Sequence, residues 1–196
     1  MYGKTRSGIG LPSLCDDEGI LLTQSGGGKY YDLVNQGKVF VASNQAAVAI
    51  TAAMATTYTG LVLFNPATNT TKNLVLLGFG YASTVAVPTA TAIGLMTGVN
   101  AGDAAATVTP RNRKVGGAAS VAIVDDGCTL TGTPVLEQVF STAWTEATTA
   151  GTIGPNNWID LDGSLILPAN SYVAAYSTAA NTAAFIFSFM WAELTA

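Results

Sequence analysis

The pattern most open to chemistry is Asp160-Leu161-Asp162-Gly163. On a strand, side chains at i and i+2 share a face. Two carboxylates so placed could bind calcium or serve a glycosidase as acid and base. A calcium loop would want a third oxygen ligand at the next alternate position, and Ser164 is out of step, so the motif reads as a solvated strand end turning into Gly163. Gly26-Gly27-Gly28-Lys29 has the outline of a phosphate loop. Thr23 stands where the first glycine belongs, and no Ser or Thr follows Lys29. Both are needed for the cradle and for magnesium, so the segment reads as a flexible hinge. The chain has no histidine, which excludes a Ser-His-Asp triad and histidine metal sites. A Ser–Lys dyad at Lys72 has no partner motif. The expectation is therefore a protein that is not an enzyme and needs no cofactor or metal. Arg111, Arg113 and Lys114, just after Pro110, form a basic cluster. It reads as a surface loop, with pairing to an acidic partner surface as the functional alternative. Asp125-Asp126-Gly127 has the composition of a tight turn.

The balance of charge narrows the partners. Lys and Arg number 8 and Asp and Glu 12, for a net charge of −4. Only 10% of residues are charged, against about 25% in an average soluble protein. The stretch 39–102 carries a single charge, Lys72. Such a chain is a poor electrostatic binder of nucleic acid. Its surface must be coated with Thr, Ser, Asn, Gly and Ala, or be covered by a partner, and composition favours an assembly. No window approaches 18 apolar residues without Gly, Thr or Asn, so no helical membrane span is expected. The first residues lack the apolar core of a signal peptide. Cys15 and Cys128 are expected as buried thiols in a reducing compartment, with one disulfide as the alternative.

Residues 1–36 differ from the remainder. They are rich in glycine, including Gly3, Gly8, Gly10 and Gly19, and hold the acidic run Asp16-Asp17-Glu18 and the apolar cluster Ile20-Leu21-Leu22. They read as an extended arm. It is either a disordered terminus or a segment that orders on a neighbouring subunit. In the second case Lys4, Arg6, Ile9, Leu11 and Leu14 are its candidate contacts, with Arg111, Arg113 and Lys114 on the domain. From residue 37 to 196 the pattern is β. Strands are expected over 38–42, 45–51, 58–64, 73–82, 84–97, 118–124, 135–144, 158–161, 164–167, 171–176 and 183–194. Turn signals at this spacing belong to a sandwich or barrel. The best helical candidate is the Ala-rich stretch 45–55, which Thr51, Thr56 and Thr57 disfavour. Over 183–194, Phe185, Phe187, Phe189 and Trp191 take every second position. On a strand they align on one face, which belongs in the core.

Several strings carry a resemblance: Lys38-Val39-Phe40-Val41-Ala42, Gln45-Ala46-Ala47-Val48, Tyr58-Thr59-Gly60-Leu61, Asn65-Pro66, Lys72-Asn73-Leu74-Val75-Leu76-Leu77, and the closing segment from Gly163-Ser164-Leu165-Ile166-Leu167-Pro168 to Trp191-Ala192-Glu193-Leu194. Their style and order over residues 38–194 resemble those of small tailed-phage virion proteins. Similar proteins are jelly-roll modules that decorate and cement icosahedral heads, often as trimers. The resemblance implies an all-β jelly-roll sandwich with an N-terminal arm. It also implies a structural role on the outer capsid surface of a virion, after synthesis in the host cytoplasm. The expected partners are the major capsid protein and further copies of this chain in a homotrimer. A receptor-binding or tail-fibre module recognising a host surface is the alternative. A carbohydrate-active enzyme using Asp160 and Asp162 is a third reading.

Overall fold

A computed structural model describes residues 2–4, 10–12, 28–84, 90–100, 105–143 and 156–196. The chain divides into two compact units, Met1–Asp32 and Leu33–Ala196. In the first, β1 (Tyr2–Lys4) and β2 (Gly10–Pro12) pair antiparallel, with Gly3 opposite Leu11. A five-residue helix, α1 (Tyr31–Asn35), crosses the boundary.

The second unit is a sandwich of two antiparallel sheets. Its eight principal strands are β3 (Val39–Ser43), β5 (Thr57–Asn65), β6 (Lys72–Ser83), β7 (Thr91–Val99), β10 (Val135–Ala143), β11 (Asn156–Leu167), β12 (Ser171–Ser177) and β13 (Asn181–Thr195). Three further strands are inserted: β4 (Val48–Ile50), β8 (Arg111–Asn112) and β9 (Ile123–Thr129). One sheet runs β11-β6-β13-β3-β8, with β4 also on β13; the other runs β10-β7-β12-β5-β9. Counting the principal strands alone, the sheets read sixth-third-eighth-first and fifth-fourth-seventh-second. That interleaving is the double Greek key of a jelly roll, as expected from the sequence.

The aromatic alternation of β13 does what its spacing predicts. Phe185, Phe187, Phe189 and Trp191 are fully buried. Phe79 of the neighbouring β6 lies 6.0 Å from Phe187 and 5.3 Å from Phe189 between ring centres. Phe40 of β3 stacks on Trp191 at 6.0 Å. The same core takes Leu61 and Leu63 of β5, Ile93 and Leu95 of β7, and Val173 and Ala175 of β12 from the facing sheet.

The second sheet is also apolar on its other face. Tyr58, Val62 and Phe64 of β5, Met96 of β7, and Tyr172, Ala174 and Tyr176 of β12 form a separate buried cluster. Every residue of β12 is therefore buried. The two deeply buried tyrosines lie over glycines that leave them room. A Cβ on Gly60, whose φ of +135° already disfavours other residues, would lie 2.6 Å from Tyr58 Cζ; one on Gly98 would lie 2.6 Å from Tyr172 Cζ. The Tyr58 hydroxyl donates to the Ala175 carbonyl at 2.7 Å. The Tyr172 hydroxyl is buried with no partner among the described residues.

This arrangement makes the fold sensitive to alkali. Burial, with Cys128 adding to it, holds the Tyr58 phenol well above its ordinary value of 10.0 and pushes Tyr172 up to about 12. Between these limits the unfolded phenols lose protons while the folded ones keep theirs. The unfolded state then binds fewer protons, and stability falls as pH rises. Urea midpoints should hold below pH about 10 and drop toward pH about 12. Tyr172→Phe should shrink that drop. At neutral pH it should cost little, because it removes an unpaired hydroxyl, whereas Tyr58→Phe should cost about 0.5–1.5 kcal/mol.

Several expectations need correction. The strand expected over 45–51 is present only as β4, and the rest of 45–55 is irregular, without the helix that Thr51 and its neighbours disfavour; Ala53 sits at φ 55° and its N–H donates to the Ser177 carbonyl. Asp125-Asp126-Gly127 is not a turn but the middle of β9. Gly163 does not end a strand: β11 runs through it, and the segments expected at 158–161 and 164–167 are one strand with a bulge between Asp160 and Leu165. Of the strand expected over 84–97, residues 85–89 lie outside the described residues, and β7 begins at Thr91.

Candidate interaction surface

Asp160 and Asp162 are both exposed and flank the buried Leu161. Asp160 sits opposite Gly78, but Asp162 has φ 52° and Gly163 φ 79°, the left-handed pair that makes the bulge. Among the described residues no three His, Cys, Asp or Glu side chains come together as a metal site. Asp125 is fully buried and structural. Its carboxylate accepts from the Ala105 N–H, from Thr107 Oγ1 at 2.7 Å and from the Gly127 N–H at 3.1 Å, tying residues 105–107 to β9. Gly26 and Gly27 lie outside the described residues, and Lys29 stands 5.3 Å from the Tyr30 ring centre. Cys128 is buried, and Cys15 lies outside the described residues.

The basic cluster is a built feature. β8 adds to the edge of β3 with Asn112 opposite Phe40 and Arg111 opposite Val41, and the Arg113 N–H donates to the Val39 carbonyl at 2.8 Å. The loop that follows is pinned from inside by Asn112. Its amide donates to the Gly37 carbonyl at 2.9 Å and the Ala118 carbonyl at 3.0 Å, and its oxygen accepts from the Lys114 N–H at 2.9 Å. Gly117 is required here, since a Cβ would stand 2.7 Å from the Asn112 side chain. Lys114 Nζ donates to the Asn35 carbonyl at 2.7 Å. The far foot of the loop is held by Glu193 of β13, a carboxylate 1% exposed, which accepts from Ser120 Oγ at 2.6 Å, the Val121 N–H at 2.9 Å and Lys72 Nζ at 2.9 Å.

A rigid knob results. At its tip Val115 is 99% exposed, flanked by exposed Arg111, Arg113 and Lys114. Neither arginine makes an ion pair with a described residue. An exposed apolar tip beside two arginines that pair with no acidic group among the described residues suits an acidic protein surface with a small apolar recess. Of the arm residues, Lys4 ends β1 and Leu11 is the middle of β2, while Arg6, Ile9 and Leu14 lie outside the described residues.

Sequence reasoning missed two residues. Glu193 pairs with Lys72 far away in sequence, which spacing does not reveal. Trp158 of β11 lies flat over Gly78 and Gly80 of β6, half exposed. The alternation Gly78-Phe79-Gly80 was its one available signal, because glycine inside a strand often marks a close approach.

No family model, curated protein or solved structure matches the chain.

Proposed function

We propose that this chain is a capsid decoration protein, which binds the outer face of an icosahedral phage head and braces neighbouring capsid subunits. The observation that carries this reading is the pinned knob at Arg111–Lys114 with Val115 at its tip: a preorganised contact on a nearly uncharged sandwich. The protein acts by contact and not by catalysis. A module that binds only the assembled shell stabilises it by mass action, and many copies per head add up through multivalency. The arm, through Lys4, Arg6, Ile9, Leu11 and Leu14, supplies a second contact. The same reading takes the protein as a homotrimer whose uncharged faces cover one another.

The test is attachment of the purified chain to undecorated heads from its source particle. The expected result is saturation at hundreds of copies per head. Arg111→Glu combined with Arg113→Glu should weaken attachment by about tenfold or more and flatten its salt dependence, with melting unchanged. Wild-type occupancy by the double variant would exclude the knob as the contact. A receptor-binding or tail-fibre module is the second reading, favoured by the exposed Trp158. A copy number of a few or a few dozen per virion would select it.

A further inference from the structure

The outer face of the sheet led by β11 carries a feature that the decoration reading does not need. Trp158 stands opposite Gly80 in register. A Cβ on Gly80 would lie 2.8 Å from indole Cε3, and one on Gly78 would lie 2.9 Å from Cε2. The two glycines thus form a slot that fixes the ring flat against the sheet. Its other face is turned to solvent, and Trp158 is 53% exposed. A shallow groove of about 540 Å³ runs beside the indole, floored by Gly80 and Ala82 and bordered by Ile186, Ser188 and Asn157. That volume lies within the range of small-ligand sites.

The lining sets the chemistry of an occupant. Among the described residues it holds no charged side chain, so an ionic ligand finds no counter-charge from them. It is not wholly apolar either. Ser188 Oγ is 2.6 Å from Ser43 Oγ, which sets a pair of hydroxyls beside the groove, while the Asn157 side chain turns to the other face of the sheet and donates to Tyr81 Oη at 2.6 Å. A purely aliphatic ligand would leave these groups unanswered. A flat, immobile aromatic face beside a pair of hydroxyls matches a pyranose ring, which presents C–H groups on one face and hydroxyls around its edge. Because the slot has already fixed the indole, little ordering remains to be done on binding.

We propose that the Trp158 groove is a binding site for neutral pyranose glycans. The site stands whether the chain decorates a head or tips a fibre.

The test uses the full chain, titrated with cellotriose, maltotriose, chitotriose and lactose by calorimetry and indole fluorescence. At least one neutral sugar should bind saturably and shift tryptophan emission. Trp158→Ala should weaken that binding about tenfold or more, and Trp158→Phe should retain part of it. Gly80→Val, which drives a side chain into the slot, should mimic Trp158→Ala. Unchanged melting of Trp158→Ala, half exposed at an edge strand, keeps its result separate from unfolding. Failure of all four sugars, equal binding by Trp158→Ala, or tighter binding of a sulfated oligosaccharide than of its neutral parent would overturn the proposal. So would a protein partner that depends on Trp158 in the absence of any sugar binding.

Discussion

Phe187→Ala is expected to lower the unfolding free energy by about 3–5 kcal/mol. Phe187 is fully buried in the middle of β13, stacked 6.0 Å from Phe79 and 5.6 Å from Phe185. Both sheets close over this point, so the void left by the ring has no mobile neighbour to fill it. The loss combines the transfer free energy of the ring with the cost of the cavity. Phe187→Leu retains most of the volume and should cost less than about 1.5 kcal/mol beyond the change in shape. Urea unfolding followed by fluorescence gives both numbers. A loss below about 1 kcal/mol for the alanine variant would mean that the stripe does not organise the core.

Glu193→Ala is expected to cost about 2–4 kcal/mol and to loosen the knob as well. The carboxylate is buried and accepts three hydrogen bonds, one charge-assisted from Lys72. Its removal strands the Val121 N–H and the Ser120 hydroxyl next to a void. Lys72→Met should cost distinctly less. The Lys72 side chain is 40% exposed, so solvent already screens part of the pair, and Glu193 keeps two donors. Urea unfolding measures the stability change, and amide exchange over residues 111–121 measures the loosening. Faster exchange there in Glu193→Ala, with slow exchange kept in β12, identifies Glu193 as the anchor of the knob. Unchanged exchange would place the anchor at Asn112 alone.

These two sites differ in how far the sequence discloses them. The stripe of β13 is legible because strand geometry converts a period of two directly into a buried face. The basic cluster at Arg111–Lys114 is legible as composition, but its rigidity depends on Asn112 reaching back to Gly37. Asp125-Asp126-Gly127 misleads because its composition suits a turn. The decisive fact is that the Ala105 N–H and Thr107 hydroxyl arrive from another segment and let Asp125 be buried inside a strand. Gly163 misleads in the same way. Local rules predict a stop, while pairing with β6 resumes at Leu165 once the left-handed Asp162 and Gly163 have taken up the extra residues. The Trp158 slot requires the register of residue 158 against residue 80, which no local pattern encodes. Local alternation was readable; every feature missed was a contact between segments distant in the chain.

The place of β13 has a consequence for synthesis. It pairs with β6 on one side and with β3 and β4 on the other, reaching as far as Thr195 opposite Lys72. On the ribosome, β3 and β6 emerge early, but the strand that belongs between them comes last of the thirteen described strands. At about 5–20 residues per second, the roughly 100 residues separating β6 from β13 take on the order of 5–20 s. Through that interval two apolar strands wait with unpaired edges, a state that invites chaperone capture or aggregation. A message cut short before the codon for Phe185 yields a chain without the aromatic stripe. Such a fragment has no core to close, so it goes to proteolysis before it can compete with full-length copies for a place in an assembly.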